Sequence, residues 1–292
     1  MAYESFTLNG GMTLPSIGFG TYDDTGADVA AMIRNAIDAG YRFFDTASIY
    51  QTERALGQVI KESGIPRGEF IIETKLWVDE MGYDNARRAL EASLQRLGTD
   101  YVDLYLIHWP RQTGACDEDW KSLDAETWRA MEQMQSEGMI KALGCSNFLP
   151  HHLQPLLANC NQPPVVNQLE LHVGYMQAEA VACCKANGIL PIAWGPLCRG
   201  RNIPAEVSET LDYAVKRYGK TRQQICIRYL MQCGIMPVPK SASPEHMRDN
   251  LDVFDFAISD EDIMLMSCIP QTAWMGEHPD LRIPTAKSNP NQ

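Results

Sequence analysis

The chain has 292 residues, 45% of them hydrophobic, with a net charge of −12 and a pI near 4.9. That length can bury a large core and fits an α/β barrel folded as one domain over residues 1–292. The acidic balance excludes nucleic acid and anionic membrane surfaces as expected partners, because both select clustered Lys and Arg.

Residues 1–10 carry neither a basic start nor an apolar stretch of signal-peptide length, and no apolar run of roughly 18 residues could span a bilayer. The cytoplasm is the expected location. Nine cysteines, an odd number without CxxC spacing, read as reduced thiols and offer no zinc pattern, so no metal is expected.

In chain order, Phe6–Leu8 and Met12–Leu14 flank an Asn9-Gly10-Gly11 turn, which predicts a hairpin cap over residues 1–15 rather than core. From Ser16 onward strand and helix patterns alternate in about eight units, the signature of a closed parallel barrel. The predicted strands are Ile17–Gly18, Arg42–Phe44, Phe70–Thr74, Val102–Ile107, Ile140–Gly144, Val165–Asn167, Leu190–Ala193 and Met236–Val238. Helices are predicted to begin near Ala27, Thr52, Tyr83, Ala125, Pro150, Ala178, Pro204 and Arg222, and several close on a glycine before the next strand. Two more helical patterns, Pro244–Asn250 and Asp260–Met266, precede a loop and tail over 270–292. That tail is either a flap over one barrel face or a disordered end, and Trp274 favours a partly ordered flap.

The stretch Tyr41 to Glu53 concentrates the chemistry. Asp45 stands at the exit of a short aromatic strand, and Tyr50 opens a helical pattern continued by Leu56, Val59 and Ile60. A carboxylate and a phenol therefore hang over one strand end, or Asp45 merely begins a turn on which Tyr50 packs. Just past the other strands stand Thr21 and Tyr22, Lys75, His108, Ser146 and Asn147, Gln168, Trp194, and Lys240 with Ser241. Singly each has an ordinary reading: Lys75 as a solvated charge, His108 as a core histidine, Asn147 and Gln168 as turn formers. Together they fall at one end of a parallel barrel, the end where such barrels hold their active sites.

The motifs GFGT (Gly18 to Thr21), FFDTASIY (Phe43 to Tyr50), ETKLW (Glu73 to Trp77), DLYLIHWP (Asp103 to Pro110), GCSNF (Gly144 to Phe148), NQLELH (Asn167 to His172), WGPL (Trp194 to Leu197) and PKSA (Pro239 to Ala242) resemble the aldo-keto reductase family in order and extent. The WGPL and HPD elements resemble its bacterial branch with 2,5-diketo-gluconate reductases. The resemblance implies a (β/α)8 TIM barrel and NAD(P)H-dependent reduction of a small aldehyde or ketone by a monomer or weak homodimer. It implies Asp45, Tyr50, Lys75 and His108 as the catalytic four. Cofactor contacts would come from Thr21, Tyr22, Asp45, Ser146, Asn147, Gln168, Trp194, Gly195, Pro196, Leu197, Lys240, Ser241, Ala242, His246 and Asn250. Tyr22, Tyr50, Trp77, His108, Trp109 and Trp274 would line the substrate pocket.

The roles follow from the chemistry. Hydride addition leaves negative charge on the carbonyl oxygen, so a proton donor must reach it. Tyr50 is that donor, with Lys75 as the cation that makes a phenol acidic enough, Asp45 as the partner of Lys75, and His108 as a second hydrogen-bond donor. No GxGxxG stands between a strand and a helix, which argues against a doubly wound dinucleotide fold. His246 and Ser243 stand where the family usually carries basic residues against the adenosine phosphate, which weakens the expected preference for NADPH and leaves NADH as an alternative. Two rival functions are a lyase using a Lys75 Schiff base and a nucleotide-binding redox sensor without turnover.

Overall fold

The computed structural model describes residues 5–23, 26–110, 120–198, 203–273 and 278–280. Trp274 and the tail from 281 lie outside them.

A hairpin of β1 (Ser5–Thr7) and β2 (Thr13–Pro15) opens the fold. The alternation that follows runs β3 (Phe19–Gly20), α1 (Val29–Ala39), β4 (Phe43–Asp45), α2 (Glu53–Glu62), β5 (Ile71–Leu76), α3 (Tyr83–Leu97), β6 (Val102–Ile107), α4 (Trp120–Ser136), β7 (Ile140–Ser146) and α5 (Pro150–Asn159). It continues with β8 (Val166–Glu170), α6 (Ala178–Ala186), β9 (Leu190–Trp194), α7 (Ala205–Tyr218), α8 (Arg222–Gln232), β10 (Met236–Pro237), α9 (Pro244–Leu251) and α10 (Asp260–Ser267). Strands β3 to β10 pair in parallel, each with its neighbour in sequence. Gly18 and Gly20 then donate their amides to the carbonyls of Pro237 and Pro239 at 3.0 and 3.1 Å, which joins the first strand to the last and closes the predicted (β/α)8 barrel.

Several predicted boundaries shift, and two of the shifts have a clear physical reason. The first barrel strand is Phe19–Gly20 rather than Ile17–Gly18, because the ladder to β4 forms at Phe19 and Gly20 while Gly18 faces the closing seam. Helix α4 is already formed at Trp120 instead of beginning near Ala125. Trp120, Asp124, Thr127 and Trp128 make one buried face, and two polar residues on it disguise the helical period.

Side chains alternate across each strand, so one set points into the barrel. Its lower layers are apolar and form one cluster of Phe43, Leu104, Leu106, Ala142, Val166, Ile192, Met236 and Val238. Leu8 and Leu14 of the hairpin join this cluster, so the hairpin plugs the barrel floor and belongs to the core, contrary to the sequence expectation. Further up the same inward faces the chemistry changes to Asp45, Lys75, His108, Ser146, Gln168 and Trp194. Space is tight: a Cβ on Gly18 would lie 2.5 Å from Phe43 Cδ1, and one on Gly144 would lie 2.5 Å from Val166 Cγ2.

Asp124 is the anomaly of the packing. It is buried between α4 and the sheet, and neither carboxylate oxygen has a hydrogen-bond partner among the described residues. Burial pushes its pKa well above the usual carboxylate range, so the folded chain holds a proton there that the unfolded chain releases above about pH 4. Stability is therefore lost as pH rises. Asp124→Leu is expected to stabilise the fold by about 1–3 kcal/mol at pH 7, with the gain shrinking toward pH 4. Urea unfolding of both proteins at the two pH values checks this; an equal effect at both would refute the titration account.

Candidate active site

Lys75 emerges inward near the end of β5 and is completely buried. Its ammonium pairs with Asp45 Oδ1, donates to the Thr46 carbonyl at 3.0 Å and lies 3.6 Å from Glu73 Oε1. Burial alone would depress its pKa, but Asp45, then Tyr50, then Glu73 outweigh that, so the net shift is upward and Lys75 stays cationic.

Tyr50 ends a single 3-10 turn over Ser48–Tyr50 that precedes α2, where the sequence suggested one continuous helical start. The turn is pinned from two sides. Ser48 Oγ donates to Glu80 Oε2 at 2.8 Å, which also accepts the Trp77 amide at 3.1 Å, and Thr52 Oγ1 bridges Thr21 and Thr46 at 2.9 and 2.8 Å. So held, the Tyr50 hydroxyl lies 3.3 Å from His108 Nε2, and Lys75 Nζ lies 5.2 Å from the centre of its ring. The rings of Tyr22 and Trp77 meet Tyr50 and His108 edge-on at 5.0 and 5.1 Å. The four predicted groups therefore converge, with Tyr22 and Trp77 around them. Trp109 is buried next to His108 in sequence. A carbonyl oxygen placed between the phenol and the imidazole would meet two hydrogen-bond donors above a buried cation.

Beside this cluster stands a row of amides. Asn147 adopts a left-handed backbone (φ 63°), and its Nδ2 donates to the His108 carbonyl and to Ser146 Oγ at 2.9 and 3.1 Å. Trp194 Nε1 donates to Asn147 Oδ1 at 2.9 Å, which fixes the indole plane over the mouth. Ser146 Oγ and the Asn147 amide both bond the Gln168 carbonyl, at 2.8 and 2.9 Å, and Gln168 Nε2 reaches across the barrel to Glu73 Oε1 at 2.7 Å. Gly195, Pro196 and Leu197 turn away after β9, Gly195 with φ 63°.

The remaining predicted contacts are spread along the adjoining seam. Thr21 is buried and spends its amide and hydroxyl on the Asp45 carbonyl, both at 2.9 Å. Lys240 is engaged by Asp23 at 2.6 Å. Ser241 and Ser243 bond each other ahead of α9, whose N-terminus leaves Ala242 and His246 exposed. Asn250 is buried against Tyr41, and its Oδ1 has no hydrogen-bond donor among the described residues. These donor and acceptor sets fit a nicotinamide nucleotide: an indole face and amides at one end, a cation and hydroxyls at the other.

Sequence reasoning missed Glu73, Glu80 and Asp23, each of which acts through a partner distant in sequence. It also missed a contact of the C-terminal segment. Asp280 Oδ1 lies 2.8 Å from His151 Nε2 and 3.2 Å from His152 Nε2, and Ala273 donates to the Gly174 carbonyl at 3.2 Å, so the described parts of the segment lie against the first turn of α5 and the loop after β8. His151, His152 and Asp280 are close enough to share a cation. His152 Nδ1, however, accepts the Leu149 amide at 3.2 Å, which leaves the hydrogen on Nε2 facing Asp280, so the group reads as a hydrogen-bonded anchor.

Residues 10–269 match the Aldo/keto reductase family. A 9,11-endoperoxide prostaglandin H2 reductase of Trypanosoma cruzi is 37% identical over 95% of this chain and 95% of its own, and a glyoxal reductase of Bacillus subtilis is 37% identical over 95% and 96%. The crystal structure of a Bombyx mori aldo-keto reductase in complex with NADP superposes with a TM-score of 0.83, at 34% identity, over 91% of this chain and 92% of that one. The barrel, the cluster at its mouth and these likenesses lead to one conclusion: the chain belongs to the aldo/keto reductase family.

Proposed function

We propose that the protein reduces small aldehydes or ketones to alcohols with NADPH, Tyr50 donating the proton. The observation that carries the reading is the Tyr50 hydroxyl at 3.3 Å from His108 Nε2, beside a buried ammonium that is held charged. A bound nicotinamide supplies the hydride. Ser146, Asn147 and Gln168 would hold its carboxamide and Trp194 its ring, while Lys240, Ser241 and Asn250 would hold the adenosine end. Tyr50 gives its proton to the carbonyl oxygen as charge develops there, Lys75 stabilises the phenolate left behind, Asp45 balances Lys75, and His108 directs the second lone pair. Tyr22, Trp77 and Trp109 wall a pocket suited to a flat or apolar carbonyl compound.

The buried, charged state of Lys75 argues against the lyase alternative, since a Schiff base needs the free amine. Eight unpaired thiols among the described cysteines support a reducing compartment, and hence the cytoplasm. The surplus of acidic side chains supports a monomer or weak homodimer without nucleic acid or membrane partners.

A panel of aldehydes, ketones and 2-oxoaldehydes, followed by loss of reduced-cofactor absorbance, tests the reading. Turnover is expected with NADPH. Cofactor binding with no turnover across the panel would favour the redox-sensor alternative instead.

The same assay sets the cofactor preference. Asp23 competes with the 2′-phosphate for Lys240, and His246 lacks a permanent charge, so kcat/KM should favour NADPH over NADH by less than about a hundredfold. His246→Arg and Asp23→Asn should each raise the ratio roughly tenfold, since a charged hydrogen bond contributes about 1.5–3 kcal/mol. Unchanged ratios would remove both residues from the account.

A further inference from the structure

We infer that Glu73 is a positioning residue: it fixes the Gln168 amide with its oxygen turned to the cofactor cleft, and it ties that amide to the Asp45–Lys75 pair. The inference rests on the preceding reading, in which Gln168 meets the nicotinamide carboxamide.

Glu73 stands two residues before Lys75 on the same inward row of β5, in register with Asp45 on β4. It is completely buried. Oε1 accepts from Gln168 Nε2 at 2.7 Å and lies 3.6 Å from Lys75 Nζ, so one carboxyl touches both the cation of the catalytic cluster and the amide of the cofactor row. Ser146 and Asn147 meanwhile hold the Gln168 backbone carbonyl, so the side chain is left to be oriented by Glu73.

A glutamine amide can present either end to a ligand, and the two ends have opposite chemistry. Oε1 of Glu73 has only lone pairs to offer where it meets Gln168, which forces the nitrogen end toward Glu73 and the oxygen end toward the cleft. There the oxygen complements a carboxamide N–H. Burial raises the Glu73 carboxyl well above its usual range, Lys75 opposes the rise, and Asp45 adds to it. The Oε1 that faces the Lys75 ammonium at 3.6 Å is the same oxygen that accepts from Gln168, so the amide nitrogen is the end held at that point.

The test compares the wild type with Glu73→Met, which keeps the length but accepts nothing, and with Glu73→Gln, which keeps a carbonyl for Gln168 and an N–H for Asp45. Dissociation constants are read from tryptophan fluorescence quenching with NADP+ and with 2′-phospho-ADP-ribose, which lacks the nicotinamide. Glu73→Met should weaken NADP+ binding roughly tenfold, the size of one lost hydrogen bond, and leave the analogue within about twofold, while Glu73→Gln restores NADP+ binding. Equal losses for both ligands, or no loss for NADP+, overturn the inference. If the Met protein does not fold, Glu73→Thr, a strand former without the carboxyl, takes its place with the same criteria. Wild-type protein that binds neither ligand would overturn the preceding reading and this inference together, whereas tight wild-type binding with an indifferent Met variant overturns this inference alone.

Discussion

Tyr50→Phe is expected to lower kcat for carbonyl reduction by roughly 10²–10⁴-fold, the usual worth of a placed general acid. Cofactor affinity should stay within a few-fold, because the hydroxyl projects toward His108 and not into the amide row. The ring itself is retained, so its packing against Tyr22 and the Lys75 ammonium survives, and the 3-10 turn keeps its ties through Ser48 and Thr52. Folding and nucleotide binding then serve as internal controls. Single-turnover measurements with pre-bound NADPH isolate the chemical step. A Tyr50→Phe variant that turns over at the wild-type rate would take the acid away from Tyr50 and leave His108 as the proton source.

Much of this site is legible in the sequence alone. Asp45 and His108 each sit where an apolar run meets its next polar residue, Lys75 follows two residues after Glu73, and a parallel barrel gathers those positions on one face. What the sequence hides are the contacts that cross the barrel or its seam. Glu73 reads as part of a strand until Gln168, 95 residues later, arrives 2.7 Å away; Asp23 reads as loop polarity until Lys240, 217 residues on, pairs with it. The hairpin's place in the core is hidden for the same reason. Leu8 and Leu14 look like a peripheral strand pair locally, and only barrel closure supplies the open floor they fill. Asp124 misleads in the other direction, since a carboxylate at a buried helix position breaks the apolar period that a sequence reading follows.

Removing the cation should separate stability from chemistry. Lys75→Met leaves Asp45 buried without its partner, and an uncompensated buried charge is expected to destabilise the fold by about 3–5 kcal/mol at pH 7. The penalty belongs to the charge itself, so it is largest at neutral pH and fades as the solution is acidified. Adding Asp45→Asn removes the stranded charge, so the double variant should recover most of the lost stability. It should not recover activity, because no cation remains beside Tyr50 to stabilise the phenolate formed as the proton leaves, and kcat should stay down roughly 10²–10⁴-fold. Urea unfolding at pH 7 and pH 5, run with turnover assays on the single and double variants, reads both effects. Activity returning in step with stability would mean that Lys75 serves only to hold Asp45 in the fold, and its catalytic role would have to be abandoned.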